Sequence, residues 1–131
     1  MYSARLLDHF QNPRHPGELP DCHAQVRIEN PVCGDILELS ANLDGGIIRE
    51  IRFRAKGCVP AMACGSAICK LATGLTVEDA LRITPEKLLE EVGGVPQASL
   101  HAVQLAFEAL KTLLRRCTPA RDTEALEAGG R

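Results

Sequence analysis

The stretch that decides the fold is LELSANLDGGIIREIRFRAK, residues 37–56, because it contains two amphipathic strands joined by a short glycine turn. Apolar side chains alternate with polar ones from Leu37 to Leu43, and the Asp-Gly-Gly triplet at 44–46 then allows a tight reversal of the chain. The alternation resumes after the turn. One face is predicted to hold the apolar side chains, Ile47, Ile51, Phe53 and Ala55, and the other the charged ones, Glu50, Arg52, Arg54 and Lys56. This period of two predicts antiparallel strands with one buried and one solvated face.

Two further elements precede this strand pair. Residues 24–28 alternate between apolar and polar side chains, which predicts a third strand before a break at 31–34. Residues 2–10 are predicted to form a short helix with Ser3 as its cap. The prolines and glycine of 12–17 then end that helix.

Four helical segments follow the strands, and each is bounded by residues that typically start, cap or end a helix. They run from Pro60 to Thr73, over 77–82 behind a Thr76 cap, from Thr84-Pro85 to Gly93-Gly94, and from a Ser99 cap to Cys117. Strands first and helices after predict an α+β domain, a three-stranded antiparallel sheet with helices packed on one face. Residues 1–117 are expected to form this single domain, and the polar residues 118–131 a flexible tail.

The composition argues against several classes of protein. The 131 residues carry a net charge of -2, whereas a nucleic-acid-binding domain normally has a strong basic excess. No apolar run approaches the roughly 20 residues that a membrane-spanning helix needs. Arg5, Asp8 and His9 make the N-terminus unlike a signal peptide, so a cytoplasmic location is expected. In a reducing compartment, the 6 cysteines are better explained as metal ligands, reactive thiols or small buried residues than as disulfides.

Two of the cysteines occupy positions where metal ligands are often found. Cys33 lies in a turn between two strands, where Gly34 lets Cys33 and Asp35 point the same way. Cys58 lies between the last strand and the first long helix, whose N-terminus is expected to stabilise a thiolate. Both cysteines flank connected strands and could project from one end of the sheet. The residues alone leave alternatives open, because turn cysteines are often inert and His101, the third candidate, could equally be a surface histidine.

The other cysteines fit a shared metal site less well. Cys64 follows Cys58 by about 9 Å of helical rise, whereas thiolates that share one zinc ion, each ~2.3 Å from it, must lie close together. Cys64 could therefore join Cys58 on one ion only if the first helical turn were irregular. Cys69 is predicted to be a core residue, and Cys22 and Cys117 have no evident partner.

Several motifs together resemble the scaffold proteins of the IscU/NifU type. The matching segments are Tyr2-Ser3 with Asp8–Arg14, the Cys33-Gly34-Asp35 turn, the strand pair around 44–46, and Phe53 followed by Gly57-Cys58. In this order and at these spacings they cover roughly residues 2–116. The resemblance implies an IscU/NifU-like (SufE/NifU-type) fold.

The resemblance also implies a function and a site. Scaffolds of this family receive sulfur from a cysteine desulfurase, assemble a [2Fe–2S] cluster and pass it to apo iron–sulfur target proteins. By position, the family's first cysteine, its aspartate and its second cysteine correspond to Cys33, Asp35 and Cys58. The family's third cysteine follows a histidine near the start of the last helix, and here that pair is His101-Ala102. The implied ligands are therefore Cys33, Asp35, Cys58 and His101, a set that suits iron, a [2Fe–2S] cluster or zinc.

Three functions remain compatible with the sequence. The leading prediction is an iron–sulfur scaffold or carrier, a binding protein rather than an enzyme. The second is a sulfur acceptor or sulfurtransferase partner of a cysteine desulfurase, with a persulfide on Cys58 or Cys64, the latter also a candidate auxiliary ligand. The third is a degenerate scaffold-fold domain that binds partners without cluster chemistry. An Hsp70-type chaperone is not an expected partner, because residues 93–99 keep only Pro96 of the Leu-Pro-Pro-Val-Lys peptide that such chaperones grip.

Overall fold

The order of strands and helices along the chain is the predicted one. The computed structural model describes residues 2–117, and the tail predicted for 118–131 lies outside the described residues. The elements in chain order are helix α1 (Ala4–Gln11), strands β1 (Ala24–Glu29), β2 (Ile36–Asp44) and β3 (Ile47–Lys56), helices α2 (Val59–Ala72), α3 (Val77–Ala80) and α4 (Pro85–Glu91), a 3₁₀ turn (Gln97–Ser99), and helix α5 (Leu100–Cys117).

The three strands form one antiparallel sheet in the order β1-β2-β3. Strand β2 is central, so that its Leu39 pairs with Val26 on one side and with Phe53 on the other. Helices α2 and α5 pack against the sheet, and their buried apolar side chains join those of the strands in one hydrophobic core. The predicted α+β class, a three-stranded antiparallel sheet with packed helices, is confirmed.

A bulge between β2 and β3 corrects one detail of the predicted strand faces. The register shifts between Asn42 and Leu43, so that Asn42 pairs with Glu50 whereas Leu43 pairs with Ile48. An extra residue on one strand of an antiparallel pair reverses the face that the following side chains occupy. As a result, Ile48 is fully buried, whereas Ile47, predicted to face the core, is 37% exposed.

Three of the helices begin at side-chain caps, as predicted. The hydroxyl oxygens of Ser3, Thr76 and Thr84 each accept a hydrogen bond from the backbone N–H three residues later. Ser99 was predicted to cap the last helix, but it lies inside the 3₁₀ turn, where its own N–H donates to the carbonyl of Pro96. The prediction was wrong there because the 3₁₀ turn runs directly into α5, and such a lead-in is common at helix ends.

A polar network fastens α1 to α2 and α4. The ring of His9 lies 2.7 Å from the Ser66 hydroxyl through Nδ1 and 2.9 Å from the Glu91 carboxylate through Nε2. Ser66 also accepts the backbone N–H of Arg14 at 2.8 Å, and Lys70 donates to Glu91 at 2.7 Å. Because a carboxylate only accepts, Nε2 carries a proton, and in the neutral ring Nδ1 accepts from the hydroxyl. The network thus holds the N-terminal segment against the helical layer.

Three connections of the chain meet at one end of the sheet. Glu29 at the end of β1 pairs with Ile36 at the start of β2, and Ile36 pairs with Lys56 at the end of β3. The β1–β2 turn and the β3–α2 junction therefore leave the sheet side by side. The start of α5 lies against this end as well, since its His101 contacts side chains from both connections.

Candidate metal centre

The four predicted ligand residues come together where these connections meet. One potential ligand atom from each of Cys33, Asp35 and His101 lies within 4.8 Å of the other two. The sulfur of Cys58 lies 3.1 Å from Oδ2 of Asp35 and 3.8 Å from Nε2 of His101. The structure therefore places the four side chains in one cluster, and their coordination of a metal stays a prediction.

The turn that carries Cys33 is held by Asn30, a residue that sequence analysis did not single out. Oδ1 of Asn30 accepts the backbone N–H groups of Val32 at 2.9 Å and Cys33 at 3.4 Å. Its carbonyl accepts the N–H of Gly34, whose φ of +78° is one that glycine adopts without strain. An asparagine that bonds the backbone two residues ahead forms an Asx turn, and the Asn-Pro dipeptide was the available signal. The turn leaves Cys33 exposed at the rim of the cluster.

Asp35 lies at the bottom of the cluster. Its side chain is only 8% exposed, and its Oδ2 lies 3.5 Å from Nε2 of His101. The same oxygen accepts a hydrogen bond from the thiol of Cys58. A buried carboxylate is costly unless a hydrogen bond or a positive charge compensates it, so this position favours a bound cation.

His101 is oriented by the backbone behind it. Its Nδ1 lies 3.2 Å from the carbonyl oxygen of Ala98. Because a carbonyl only accepts, Nδ1 carries the proton in the neutral ring, and the lone pair of Nε2 faces Cys58 and Asp35. A carbonyl that binds the outer ring nitrogen is a common support for a metal-binding histidine. The neighbouring Ala102 is fully buried, so the residue at the family's third-cysteine position packs into the core.

Cys58 precedes the first residue of α2, and its thiol is less acidic than that of an ordinary cysteine. Burial, followed by the hydrogen bond to Asp35, raises the pKa of Cys58 above its ordinary value. A hydrogen bond from the backbone N–H of Ala61, in the first turn of α2, lowers that pKa but does not outweigh them. The helix N-terminus therefore stabilises a thiolate as predicted, but desolvation and the nearby carboxylate act more strongly, so that the pKa is raised.

The remaining cysteines differ in burial and position. Cys64 and Cys69 are fully buried in α2, as predicted for Cys69. Burial, and after it the charge of Cys58, raises the pKa of Cys64 to about 12, and burial also raises the pKa of Cys69. A buried, weakly acidic thiol is poorly suited to reaction, so the predicted role of Cys64 gains no support from its surroundings. Cys22 and Cys117 are half-buried and close enough for the charge of Cys22 to raise the pKa of Cys117, in addition to burial.

We expect Gly57→Ala to weaken zinc binding by about 10- to 100-fold, the range found when a group that orients a ligand is lost. The φ of Gly57 is +149°, and a Cβ atom built there would lie 2.3 Å from Oδ1 and 2.5 Å from Cγ of Asp35. The carboxylate would have to leave its place beside Cys58 and His101. The apparent zinc affinity, measured by competition with a chromophoric chelator, tests this expectation.

Gly34→Ala is the matched control for this substitution. The φ of Gly34 is also positive, at +78°, but a Cβ atom there would meet nothing within 4 Å. Both variants carry the strain of alanine at positive φ, and only Gly57→Ala displaces Asp35. An equal loss of zinc affinity in both variants would mean that backbone strain, and not the displaced carboxylate, weakens the site.

Comparison with known proteins shows what this chain is similar to. The family described as NifU-like N terminal domain matches residues 1–118. The iron-sulfur cluster assembly scaffold protein IscU 1 of Archaeoglobus fulgidus is 39% identical over 111 residues, which cover 85% of this chain and 72% of that protein. The corresponding IscU of Aquifex aeolicus is 33% identical over 116 residues, covering 87% of this chain and 74% of that protein.

A solved structure of another protein has the same fold. A protein of Fervidobacterium islandicum, described as an iron-sulfur cluster assembly scaffold for the SUF system, superimposes with a TM-score of 0.72 and covers 86% of this chain and 96% of its own. Its identity of 18% supports a common fold alone. The match over residues 1–118 and the relatives at 39% and 33% identity show the family. The chain belongs to the NifU-like N-terminal domains, which include the IscU scaffolds of iron–sulfur cluster assembly.

Proposed function

We propose that this chain is a scaffold or carrier of iron–sulfur cluster assembly that holds iron or a [2Fe–2S] cluster as its cargo, with zinc able to take the same place. The ligands would be Cys33, Asp35, Cys58 and His101. The observation that carries the proposal is their convergence: potential ligand atoms of Cys33, Asp35 and His101 lie within 4.8 Å of one another, and Cys58 contacts two of them.

The donor set fits this cargo chemically. Two thiols, one imidazole and one carboxylate supply four donors, which is the number that a single tetrahedral zinc or iron ion takes. Thiolates hold iron–sulfur clusters, and histidine replaces cysteine in some of them. The cluster of side chains is also open on one side, because Cys33 is exposed and the side chain of His101 is 32% exposed. An open site lets cargo be loaded and passed on, which is the work of a carrier rather than of an enzyme.

The partners follow from this role. We propose a cysteine desulfurase as the source of sulfur and apo iron–sulfur proteins as the recipients of the cargo. Among residues 2–117, no helix has both the length and the apolar character needed to cross a lipid bilayer. The cytoplasmic location expected from the sequence stays a prediction.

Anaerobic reconstitution of the full chain with iron and sulfide tests the proposal. We expect a visible sulfur-to-iron charge-transfer absorption that remains with the protein after gel filtration, with iron and sulfide present in equal amounts. Metal analysis of the same fractions distinguishes a cluster from bound zinc, which is colourless. A protein that retains neither iron nor zinc after this treatment would contradict the proposed function.

A further inference from the structure

Two cysteines that the metal centre does not use lie near each other at the opposite end of the sheet. Cys22 belongs to the loop before β1, and Cys117 is the last residue of α5. Both are half-buried. We propose that Cys22 and Cys117 form a redox-active pair, which a peroxide closes to a disulfide that fastens the end of α5 to the start of β1. This inference does not depend on the proposed scaffold function.

Contacts to one residue, Gln25, bring the two cysteines together. The thiol of Cys22 donates to Oε1 of Gln25 at 3.9 Å. From the other side, Nη1 of Arg116 donates to the backbone carbonyl of Gln25, and Cys117 follows Arg116 directly. Helix α5 as a whole packs against β1, so the packing of the two elements supports this meeting point. The sequence alone indicates no partner for either cysteine, because they lie far apart along the chain.

The electrostatics of the pair agree with these contacts. Burial raises the pKa of Cys117, and the charge of Cys22 raises it further. One ionised group has such an effect on another only from nearby. The backbone beside Cys22 is held in place, since the N–H of His23 donates to the carbonyl of Ala41 at 3.0 Å. Rotation of the two cysteine side chains, one at the end of a loop and one at the end of a helix, then brings their sulfur atoms to the bonding distance of ~2.05 Å.

The metal centre lies too far away to interfere with this pair. Cys117 follows His101 in α5 by about 24 Å along the helix axis. Strand β1, which has 6 residues and is about 20 Å long, separates Cys22 from the turn that holds Cys33. The two cysteines inside α2 are fully buried. Cys22 and Cys117 are therefore each other's accessible partners, and their disulfide leaves the proposed ligands free.

The oxidation consumes hydrogen peroxide and balances in two steps. The thiolate of Cys22 attacks one oxygen of the peroxide and the O–O bond breaks, so that Cys22 becomes a sulfenic acid. Hydroxide leaves and takes up the proton that the Cys22 thiol released. The thiol of Cys117 then attacks the sulfur of the sulfenic acid, the S–O bond breaks as the S–S bond forms, and a second water leaves with the proton of Cys117. Both thiols are oxidised to one disulfide, and the peroxide is reduced to water.

The order of the two steps follows from the surroundings of the thiols. The raised pKa of Cys117 leaves less of that thiol ionised at neutral pH, and the thiolate is the form that attacks a peroxide. Cys22 lies between Asp21 and His23, which are both exposed, so an oxidant can reach it from solvent. Cys22 is therefore the thiol that is oxidised first, and Cys117 is the thiol that resolves it.

The disulfide acts as a reversible lock on the fold. It links the first strand to the last helix and encloses residues 22–117, most of the chain that the structure describes. A cross-link stabilises a protein mainly by restricting the unfolded chain, and more so when the enclosed loop is long. In a reducing compartment such a bond is typically transient and senses oxidants.

Tryptic peptides of the full chain identify this disulfide directly. Cleavage after arginine and lysine gives peptide 15–27 with Cys22 alone and peptide 117–121 with Cys117 alone. The reduced chain is treated with equimolar hydrogen peroxide, alkylated after denaturation and digested without reduction. We expect the two peptides to be linked and to separate again in dithiothreitol. On a denaturing gel without reductant, the oxidised protein should run as a single chain.

Three variants make the assignment specific. Cys22→Ser and Cys117→Ser should each lose the linked peptides. In Cys117→Ser the sulfenic acid has no resolving thiol, so dimedone should label peptide 15–27. The double variant Cys33→Ser and Cys58→Ser is the matched control, because it also removes two thiols but should still form the disulfide.

Urea denaturation measures the lock itself. The oxidised wild type should unfold at a higher urea concentration than the same protein after reduction, because only the oxidised chain is cross-linked when it unfolds. Peroxide-treated Cys22→Ser should show no such increase. An oxidised wild type with the same urea midpoint as the reduced protein would overturn the lock.

The other outcomes decide the proposal whatever the metal centre does. Peptides 15–27 and 117–121 that stay unlinked after oxidation would overturn it. A disulfide from Cys22 to peptide 28–49 or 57–70, or one between two chains, would overturn it as well. A protein that forms the disulfide but binds neither zinc nor iron supports this inference and contradicts the scaffold proposal alone.

Discussion

Replacing both Cys33 and Cys58 by alanine is expected to abolish stoichiometric metal binding and the colour of the reconstituted protein. The double variant keeps only Asp35 and His101 of the proposed ligands. Loss of a group that merely orients a ligand weakens metal affinity by about 10- to 100-fold, so loss of two ligands has a larger effect. Without thiolates, the remaining carboxylate and imidazole cannot hold an iron–sulfur cluster.

The measurement is metal content and apparent zinc affinity, with circular dichroism as a check that the variant is folded. The matched control is the double variant Cys22→Ala and Cys117→Ala, which also removes two thiols, both half-buried and both outside the cluster. It should bind metal as the wild type does. Unchanged metal content in the Cys33 and Cys58 double variant would eliminate the proposed site.

Much of the fold could be predicted because the strands are amphipathic with a period of two. The pairing of Leu39 with Phe53 across β2 and β3 follows from that alternation and from the glycine turn between the strands. The bulge at Asn42 and Leu43 could not be predicted, since the pattern alone does not say which strand carries an extra residue. For that reason the alternation predicts Ile47 in the core, whereas Ile48 is the residue that is buried there.

The residues of the site could be predicted, but the groups that orient them could not. Cys33, Asp35 and Cys58 lie next to breaks between elements, which the sequence marks with glycine and proline. The bond between His101 and the carbonyl of Ala98 depends on the backbone of the 3₁₀ turn, where sequence analysis expected only a cap. The contact between Gly57 and Asp35 joins residues from different connections, so nothing local signals it.

The pKa of Cys58 also depends on contacts that the sequence alone does not reveal. The helix N-terminus is a local feature, and its effect on the thiol could be expected from the sequence. The burial of the thiol and its hydrogen bond to Asp35 arise only when β2, β3 and α2 have packed together. Their combined effect on the pKa outweighs the local one, so the pKa of Cys58 is raised although the helix N-terminus lowers it.

His9→Leu is expected to lower the free energy of unfolding by about 2–4 kcal/mol, because it removes one of the two hydrogen-bond partners of Ser66 and of Glu91. His9 is 2% exposed and bonds Ser66 at 2.7 Å and Glu91 at 2.9 Å. Leucine fills a similar volume, so the loss reports chiefly on the polar contacts. The free energy of unfolding, measured by urea denaturation of the metal-free chain, gives the comparison with the wild type.

His23→Leu is the matched control for His9→Leu. His23 is exposed, and its Nδ1 accepts the backbone N–H of Leu43 at 2.8 Å, a bond that water can replace. Its replacement should cost less than about 1 kcal/mol. Equal losses in the two variants would show that the network around His9 contributes no more than a surface contact.

The pH dependence of the free energy of unfolding, compared between the wild type and His9→Leu, shows whether the bond from His9 to Glu91 stabilises the fold. Burial on its own raises the pKa of Glu91, but hydrogen bonds from Lys70 and His9 outweigh it and hold that pKa below its ordinary value of 4.5. A carboxyl group whose pKa is lowered by folding stabilises the native state above its unfolded pKa, and this contribution disappears as the pH falls through its folded pKa. The wild type should therefore lose stability below about pH 4.5. His9→Leu should lose less over the same range, because only Lys70 still lowers the pKa of Glu91. Parallel curves for the two proteins would mean that His9 does not stabilise the carboxylate.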